Sequence, residues 1–271
     1  MRQRDQPPDT PPSLRAALAD AAWQPITIGM SGAQVYRIVA PGRPPRYLKT
    51  ASGPRVEELR AERDRLRWLR SHLSVPNVCG WAETADGAEQ RGWLLLTEAP
   101  GLMACDPTMM ADQPRLVTAL AKGLRAIHRL PIANCPFDMR LDARLAQAQW
   151  MIRAGIADEA TVRENLGIGA LELLRRLTVT RPTEPSADLV FTHGDYCLPN
   201  LLLDPHSYHL TAYLDWGRAG VADRYQDLAI GARSVRHNLG AKWEPHFLAA
   251  YGLSPLDHER IAWYETLDEL F

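Results

Sequence analysis

The most informative part of this 271-residue chain reads Phe191-Thr192-His193-Gly194-Asp195-Tyr196-Cys197-Leu198-Pro199-Asn200. A short apolar run, 201–204, follows it directly, and a further run leads into Tyr213-Leu214-Asp215-Trp216-Gly217-Arg218. Short apolar runs bounded by Gly, Pro and Asn indicate buried strands joined by loops. The sequence therefore predicts that Asp195, Asn200 and Asp215 all lie on short loops next to strands.

These three side chains suit phosphate and metal chemistry. Asp195 and Asn200 are five residues apart, the spacing of Asp and Asn in the catalytic loop of protein kinases, and Asp215 precedes an aromatic residue and a glycine as in the kinase D-F-G motif. Phosphoryl transfer needs a positioned hydroxyl group, neutralised phosphate charge and bound magnesium. We therefore predict a phosphotransferase in which Asp195 accepts the proton of the acceptor hydroxyl. Asn200 and Asp215 would bind Mg²⁺ through oxygen.

The first hundred residues supply the partners that such a site needs. A small-residue loop containing Met30 and Ser31 separates two short apolar runs, which predicts a hairpin whose loop could lie over phosphates. Lys49 stands at the end of the next predicted strand. A charged helix is predicted over 56–70, and it carries Glu62. A lysine on a strand held by a glutamate on a helix is the kinase arrangement for contacting nucleotide phosphates.

Composition changes near Pro100, where strand candidates give way to helix candidates. We predict a disordered segment 1–12, a nucleotide-binding lobe 13–99, and a catalytic, substrate-binding lobe 100–271. We expect His128 to be a helix C-terminal residue stabilised by the helix dipole, and His193 to be buried. The predicted helices beyond those named are 14–22, 116–128, 141–154 and 170–177, and a further strand is expected over 75–81.

Bulk properties exclude several classes of protein. Hydrophobic residues make up 46% of the chain and charged residues 23%, with a net charge of −1, so no overall field recruits nucleic acid or an anionic membrane. No apolar run approaches the length of a membrane span. Four widely spaced cysteines indicate reduced thiols in a cytosol. We expect a cytoplasmic protein that is a monomer or weak dimer, without nucleic-acid or membrane partners.

A metal site is the rival interpretation of the central stretch. The residues His193, Cys197, His206 and His209 could in principle bind zinc. Their spacing is loose and no second cysteine lies near, so this pattern is a weak indication of a zinc site.

The most distinctive residues of the chain are Gly29-Met30-Ser31, Lys49, 61–66, 193–200, 214–229 and the ending 260–271, which includes Leu267-Asp268-Glu269-Leu270-Phe271. In these residues the chain resembles the aminoglycoside phosphotransferases, in particular their 3′-phosphotransferase (kanamycin kinase) branch. The resemblance implies an α+β, two-lobed protein-kinase-like fold, with a small antiparallel-sheet N-lobe, one packed helix, and a larger, mainly helical C-lobe. It implies ATP and Mg²⁺ as cofactors, an aminoglycoside as substrate, and a role in antibiotic resistance.

Carried over to this sequence, the resemblance implies three sets of binding residues. Lys49 and Glu62 would act at the nucleotide, Met30 and Ser31 would lie over its phosphates, and the linker from Thr97 to Ala99 would contact the adenine through its backbone. Asp268, Glu269 and the terminal carboxylate of Phe271 would bind amino groups of the drug. Glu159 and Glu164 would add to that acidic wall. From the residues alone, these last two acids are as readily explained as a solvated loop and helix start.

Two departures bear on the substrate, and three alternatives stay open. Arg163 lies within the stretch of the acidic wall, and His237 and Asn238 stand where kanamycin-modifying relatives tend to carry acids. The alternatives are a streptomycin-type phosphotransferase, a kinase of another small alcohol with the same fold, and a nucleotide-binding module without catalysis. The intact residues at positions 49, 195, 200 and 215 argue against the last.

Overall fold

The computed structural model describes residues 10–26, 33–84 and 90–271. The chain forms two compact units, one comprising Met1–Pro100 with Thr211–Gly217 and the other Gly101–Leu210 with Arg218–Phe271. The segment 211–217, which we assign to the second lobe from the sequence, thus belongs to the first unit. The predictions for Met30, Ser31 and residues 1–9 lie outside the described residues.

The first unit is an antiparallel sheet with a packed helix. Its elements are α1 (Pro12–Leu18), β1 (Ala22–Ile26), β2 (Gln34–Val39), β3 (Arg46–Ser52), α2 (Val56–Leu69), β4 (Val78–Thr84) and β5 (Arg91–Thr97). The strands are ordered β1-β2-β3-β5-β4. β3 is therefore a central strand, and Lys49 pairs with Val35 on one side and Leu94 on the other. The apolar stripe of α2 is buried, as its spacing predicts.

The second unit is mainly helical. Its elements are β6 (Leu102–Met103), α3 (Pro107–Met110), α4 (Gln113–His128), α5 (Leu141–Arg153), α6 (Glu159–Leu166), α7 (Ala170–Val179), β7 (Leu189–Thr192), β8 (Leu201–Leu203), the start of β9 (Leu210–Tyr213), β10 (Gly220–Asp223), α8 (Arg224–Leu239), α9 (Trp243–Tyr251) and α10 (His258–Asp268). Antiparallel pairs join β7 to β10 and β6 to β8.

Helix α8 is the core helix of this unit. Every residue from 225 to 232 is buried, which is expected for a helix packed on all sides rather than along one stripe. It packs against α9 and α10, and α4 packs against α9 with its leucines inward. A buried polar side chain on such a helix must find partners inside the protein, and Asp227 is one of these.

Most predicted elements are confirmed, and the differences have local causes. The helix predicted over 14–22 ends at Leu18, because Ala22 already pairs with Val39 in the sheet. The strand predicted over 75–81 begins later, at Val78. Pro76 lacks an N–H group, and the Asn77 N–H donates instead to the Thr97 hydroxyl group at 2.9 Å.

Candidate active site

The loop after β7 carries Asp195, and the residues at the start of this loop are buried. Thr192 and His193 are both 0% exposed. Gly194 has φ +81°, and a Cβ atom there would lie 2.2 Å from the Arg218 carbonyl oxygen, so only glycine fits. The N–H of Asp195 donates to Nδ1 of His193 at 3.3 Å. His193 is thus buried and orients the loop, as predicted.

Asp195 and Asn200 are joined directly. The Nδ2 group of Asn200 donates to Oδ2 of Asp195 at 2.9 Å and to its carbonyl oxygen at 3.1 Å. Because the amide nitrogen is used in this way, the Asn200 side chain has its oxygen to offer to a cation. The spacing of five residues read from the sequence therefore corresponds to one compact turn that holds both side chains.

Asp227 binds the backbone of the loop that carries Asp195, a role that the sequence interpretation missed. Its carboxylate accepts hydrogen bonds from the backbone N–H groups of His193 at 2.7 Å and Gly194 at 2.8 Å. It also accepts one from Nε2 of His128 at 3.0 Å, and a further hydrogen bond of 2.7 Å joins Nδ1 of His128 to the Tyr251 hydroxyl group.

The predicted position of His128 at the C-terminal end of a helix is confirmed, because it is the last residue of α4. The structure adds that its side chain is buried and hydrogen-bonded to Asp227 and Tyr251. One feature of the sequence could have indicated the role of Asp227. It lies within the mainly apolar stretch 225–232, and an aspartate in a buried helix needs hydrogen-bond partners inside the protein.

In the first unit, Lys49, Glu62 and Asp215 come together. The Lys49 ammonium group lies 2.7 and 2.8 Å from the two Glu62 carboxylate oxygens and 3.4 Å from Oδ1 of Asp215. Burial by itself lowers the pKa of Lys49, but Asp215 and Glu62 outweigh that effect and raise it, so the ammonium stays charged. Burial raises the pKa of Glu62, and Lys49 opposes that shift.

The position of Lys49 differs from the sequence expectation in one respect. It lies in the middle of a central strand rather than at a strand end, and its side chain is only 15% exposed.

The orientation of Asp215 is set by its own backbone conformation and by the neighbouring Trp216. Its φ is +61°, a left-handed conformation that is uncommon for residues other than glycine and often marks a functional position. The adjoining Trp216 is fully buried, and its Nε1 group donates to the Tyr213 carbonyl oxygen at 3.1 Å. This buried anchor leaves the Asp215 side chain 36% exposed.

The end of β5 and the residues after it differ in whether their backbone N–H groups are already hydrogen-bonded. The N–H of Thr97 donates to the Asn77 carbonyl oxygen at 3.0 Å, and the N–H of Glu98 donates to that of Pro45 at 3.4 Å. Both groups therefore belong to the sheet. Within the described part of this unit, the N–H of Ala99 has no such partner.

The predicted drug-binding acids at the C-terminus are paired with arginine. Arg233, which the sequence interpretation overlooked, contacts Asp268 and lies 3.0 Å from Oε1 of Glu269. Arg218 lies 3.6 Å from Asp268. Nδ2 of Asn165 donates to Oε2 of Glu269 at 2.7 Å. These acids are therefore already neutralised in part by the protein itself.

Helix α6 carries the other two predicted acids. Asp158 caps its N-terminus by accepting a hydrogen bond from the Thr161 N–H at 3.0 Å. Glu159 accepts from the Ala170 N–H at 2.9 Å and forms an ion pair of 2.9 Å with Arg163. Glu164 is exposed on the same helix. The acids lie in a helix rather than a loop, and Arg163 offsets one of them.

The two predicted metal ligands carry oxygen donors. Asp215 in the first unit has a carboxylate and Asn200 in the second has an amide oxygen, the donor type that Mg²⁺ prefers. In residues 10–26, 33–84 and 90–271, no three His, Cys, Asp or Glu side chains converge as a metal cluster would. His193, Cys197, His206 and His209, all within that range, thus form no such group.

No helix among the described residues combines the length and apolar character needed to cross a membrane. The described residues show four free cysteines, Cys79, Cys105, Cys135 and Cys197.

Comparison with known proteins identifies the fold and the family of the chain. A crystal structure of an aminoglycoside-3′-phosphotransferase of type VIII matches with a TM-score of 0.82 and 32% identity, covering 95% of this chain and 96% of that one. The fold is therefore α+β and protein-kinase-like. The model of the phosphotransferase enzyme family matches residues 22–264. The chain belongs to the phosphotransferase enzyme family.

Curated relatives extend over nearly the whole chain. An aminoglycoside 3′-phosphotransferase of Streptomyces fradiae is 36% identical, covering 96% of this chain and 98% of the relative. One of Niallia circulans is also 36% identical, with 90% of each chain covered. The streptomycin 3″-kinase of Streptomyces griseus is 34% identical, with 92% of each covered.

Proposed function

We propose that this protein transfers the γ-phosphoryl group of ATP to the 3′-hydroxyl group of an aminoglycoside of the kanamycin or neomycin type, and so confers resistance to it. The observation that carries the proposal is the similarity to aminoglycoside 3′-phosphotransferases along 96% of the chain, at 36% identity. The intact Lys49–Glu62 pair and the Asp195–Asn200 pair support catalysis rather than nucleotide binding alone.

In this proposal Asp195 orients the 3′-hydroxyl group of the drug and accepts its proton as the bond to phosphorus forms. The hydrogen bond from Asn200 fixes one of its carboxylate oxygens and leaves the other to face the hydroxyl group. Asn200 and Asp215 are the proposed ligands of Mg²⁺, which when bound would neutralise charge on the nucleotide phosphates.

The nucleotide is held by the first unit. The Lys49 ammonium group, fixed by both oxygens of Glu62, is the proposed contact to the phosphates. Of the linker, Ala99 is the better candidate for binding adenine through its N–H, because the N–H of Thr97 already bonds within the sheet. Met30 and Ser31 remain proposed phosphate contacts.

The polycationic substrate is proposed to bind carboxylates through charge-assisted hydrogen bonds. Asp268, Glu269 and the terminal carboxylate of Phe271 are the first set, and Glu159 and Glu164 the second. Because Arg233 and Arg163 pair with members of these sets, drug ammonium groups must compete with arginine. We therefore expect weaker or narrower aminoglycoside binding than an unpaired acidic wall would give.

A streptomycin-type kinase is the second candidate, favoured by the 34% identity to the Streptomyces griseus enzyme. ADP formation by the purified protein with Mg²⁺-ATP separates the two, with kanamycin, a 3′-deoxy analogue and streptomycin as acceptors. We expect turnover with kanamycin and none with the 3′-deoxy analogue. Equal turnover of those two would overturn the 3′ assignment, and turnover of streptomycin alone would favour the second candidate. No acceptor-dependent turnover at all would favour the non-catalytic module.

Asp195→Ala tests the proposed base. Turnover is expected to fall at least about a hundredfold, since general base catalysis contributes on that order, while nucleotide binding measured by calorimetry stays close to wild type. Substantial residual turnover would remove Asp195 from this role. We propose that the protein acts in the cytoplasm, where ATP is available, and we expect a monomer or weak dimer on size-exclusion chromatography.

A further inference from the structure

Arg144 is a buried cation in an unusual setting. Its side chain lies on α5 and is 1% exposed. Nη1 donates to Oε1 of Gln147 at 2.9 Å, whereas Nε has no hydrogen-bond partner within residues 90–271. Burial of a charged group with incomplete pairing is costly. Such a group calls for an explanation beyond ordinary packing.

The aromatic partner of Arg144 is Phe271. Its guanidinium carbon lies 3.5 Å from the ring centroid of Phe271, and that of Arg218 lies 5.4 Å from the same ring. A desolvated guanidinium stacked on an aromatic face gives the stronger form of the cation–π interaction. Of the two arginines, Arg144 thus lies closer to the Phe271 ring, and its side chain is buried.

The residues next to Phe271 are also held in place. Leu270 is 0% exposed, and the Phe271 N–H donates to the Asp268 carbonyl oxygen at 3.1 Å. Stacking of the Phe271 ring on Arg144 adds a side-chain constraint to these contacts.

We propose that Arg144 is a positioning residue that stacks on Phe271 and thereby holds the segment 268–271, whose carboxylates are the proposed contacts to ammonium groups of the substrate. The inference rests on the proposed function for the identity of that substrate. It adds that Arg144 acts through Phe271 and does not contact the drug. Burial and the charge of Arg218 lower the pKa of Arg144 to about 9, and the charges of Asp268 and Asp195 oppose that shift, so the guanidinium is still charged at neutral pH.

Kinetics of single and double variants test the proposal. Arg144→Met and Phe271→Leu, which keeps the terminal carboxylate, are each expected to raise KM for kanamycin about three- to tenfold, as the loss of one desolvated cation–π contact predicts. Values of kcat and of KM for ATP should stay within about twofold. The double variant should be no worse than either single one.

Two further variants guard against a purely structural effect. Arg144→Lys keeps the charge without the planar stacking face, and its KM is expected between those of wild type and Arg144→Met. Arg115→Met is the matched control, because Arg115 also stacks on an aromatic ring, that of Tyr208, at 4.7 Å. It should leave KM for kanamycin unchanged. Multiplying effects in the double variant, or a loss of kcat that parallels a loss of thermal stability, would overturn the proposal.

A second measurement does not depend on activity. Release of Phe271 by carboxypeptidase, timed by mass spectrometry, is expected to be about three- to tenfold faster in Arg144→Met and unchanged in Arg115→Met. Equal release from wild type and Arg144→Met would refute the positioning role even if kanamycin is a substrate. Faster release together with no turnover of any aminoglycoside by the wild type would instead refute the proposed function.

Discussion

Replacing Asp227 by asparagine should disorder the loop that carries Asp195. The Asp227 carboxylate accepts three hydrogen bonds through its two oxygens, from the N–H groups of His193 and Gly194 and from Nε2 of His128. Asparagine keeps one acceptor oxygen and replaces the other with a donor. At least one buried N–H group then faces another donor and loses its partner.

The size of the effect follows from those contacts. Leaving a buried donor unsatisfied costs about 1–3 kcal/mol, and the surviving bonds lose the help of a full negative charge. We take about 3 kcal/mol for the local opening of the loop, which corresponds to roughly a hundredfold increase in amide exchange. Displacement of Asp195 by a fraction of an ångström should also lower kcat at least about tenfold.

Hydrogen exchange resolved to single amides, measured on wild type and Asp227→Asn, provides the assay. The amides of His193 and Gly194 should exchange roughly a hundredfold faster in the variant. Tyr251→Phe is the matched control, because it removes the hydroxyl group that contacts His128 and leaves all three bonds to Asp227 in place. Exchange of both amides within about threefold of wild type in Asp227→Asn would refute the reasoning.

Two further predictions concern ion pairs. Because burial raises the pKa of Glu62 above its ordinary value of 4.5, KM for ATP should rise as the pH falls toward that raised pKa, since a protonated Glu62 no longer holds the Lys49 ammonium group. Glu62→Gln should have a high, pH-independent KM, and an unchanged acid limb in that variant would contradict the assignment. Arg233→Met should lower the melting temperature by removing the cation shared by Asp268 and Glu269, and saturating kanamycin should reduce the difference because its ammonium groups replace the guanidinium. A difference that kanamycin leaves unchanged, in thermal melts of both proteins, would count against drug binding at those acids.

Local patterns determined the chemistry that could be predicted from the sequence. The order of Asp195, Asn200 and Asp215 along the chain, and of Lys49 and Glu62 before them, was sufficient to predict a phosphotransferase, and the kinase-like fold followed from the resemblance to a known family. Helical periodicity was sufficient for α2, α4, α5 and α7. These predictions succeed because strand, turn and helix signals depend on residues close together in the chain.

Only the tertiary structure determined which groups neutralise or support the candidate site residues. Arg233 pairs with Asp268 and Glu269 across more than thirty residues, and Asp227 meets the backbone of His193 across thirty-four. The apolar neighbours of Asp227 indicate that it is buried, but no local pattern identifies the partner in either contact, because the paired residues lie far apart in the chain. Residue type and spacing were sufficient to predict the oxygen donors Asn200 and Asp215. The electrostatic environment of such side chains depends on long-range packing. For this protein the sequence predicts a phosphotransferase. The tertiary structure determines which of the candidate substrate-binding acids are neutralised by arginine.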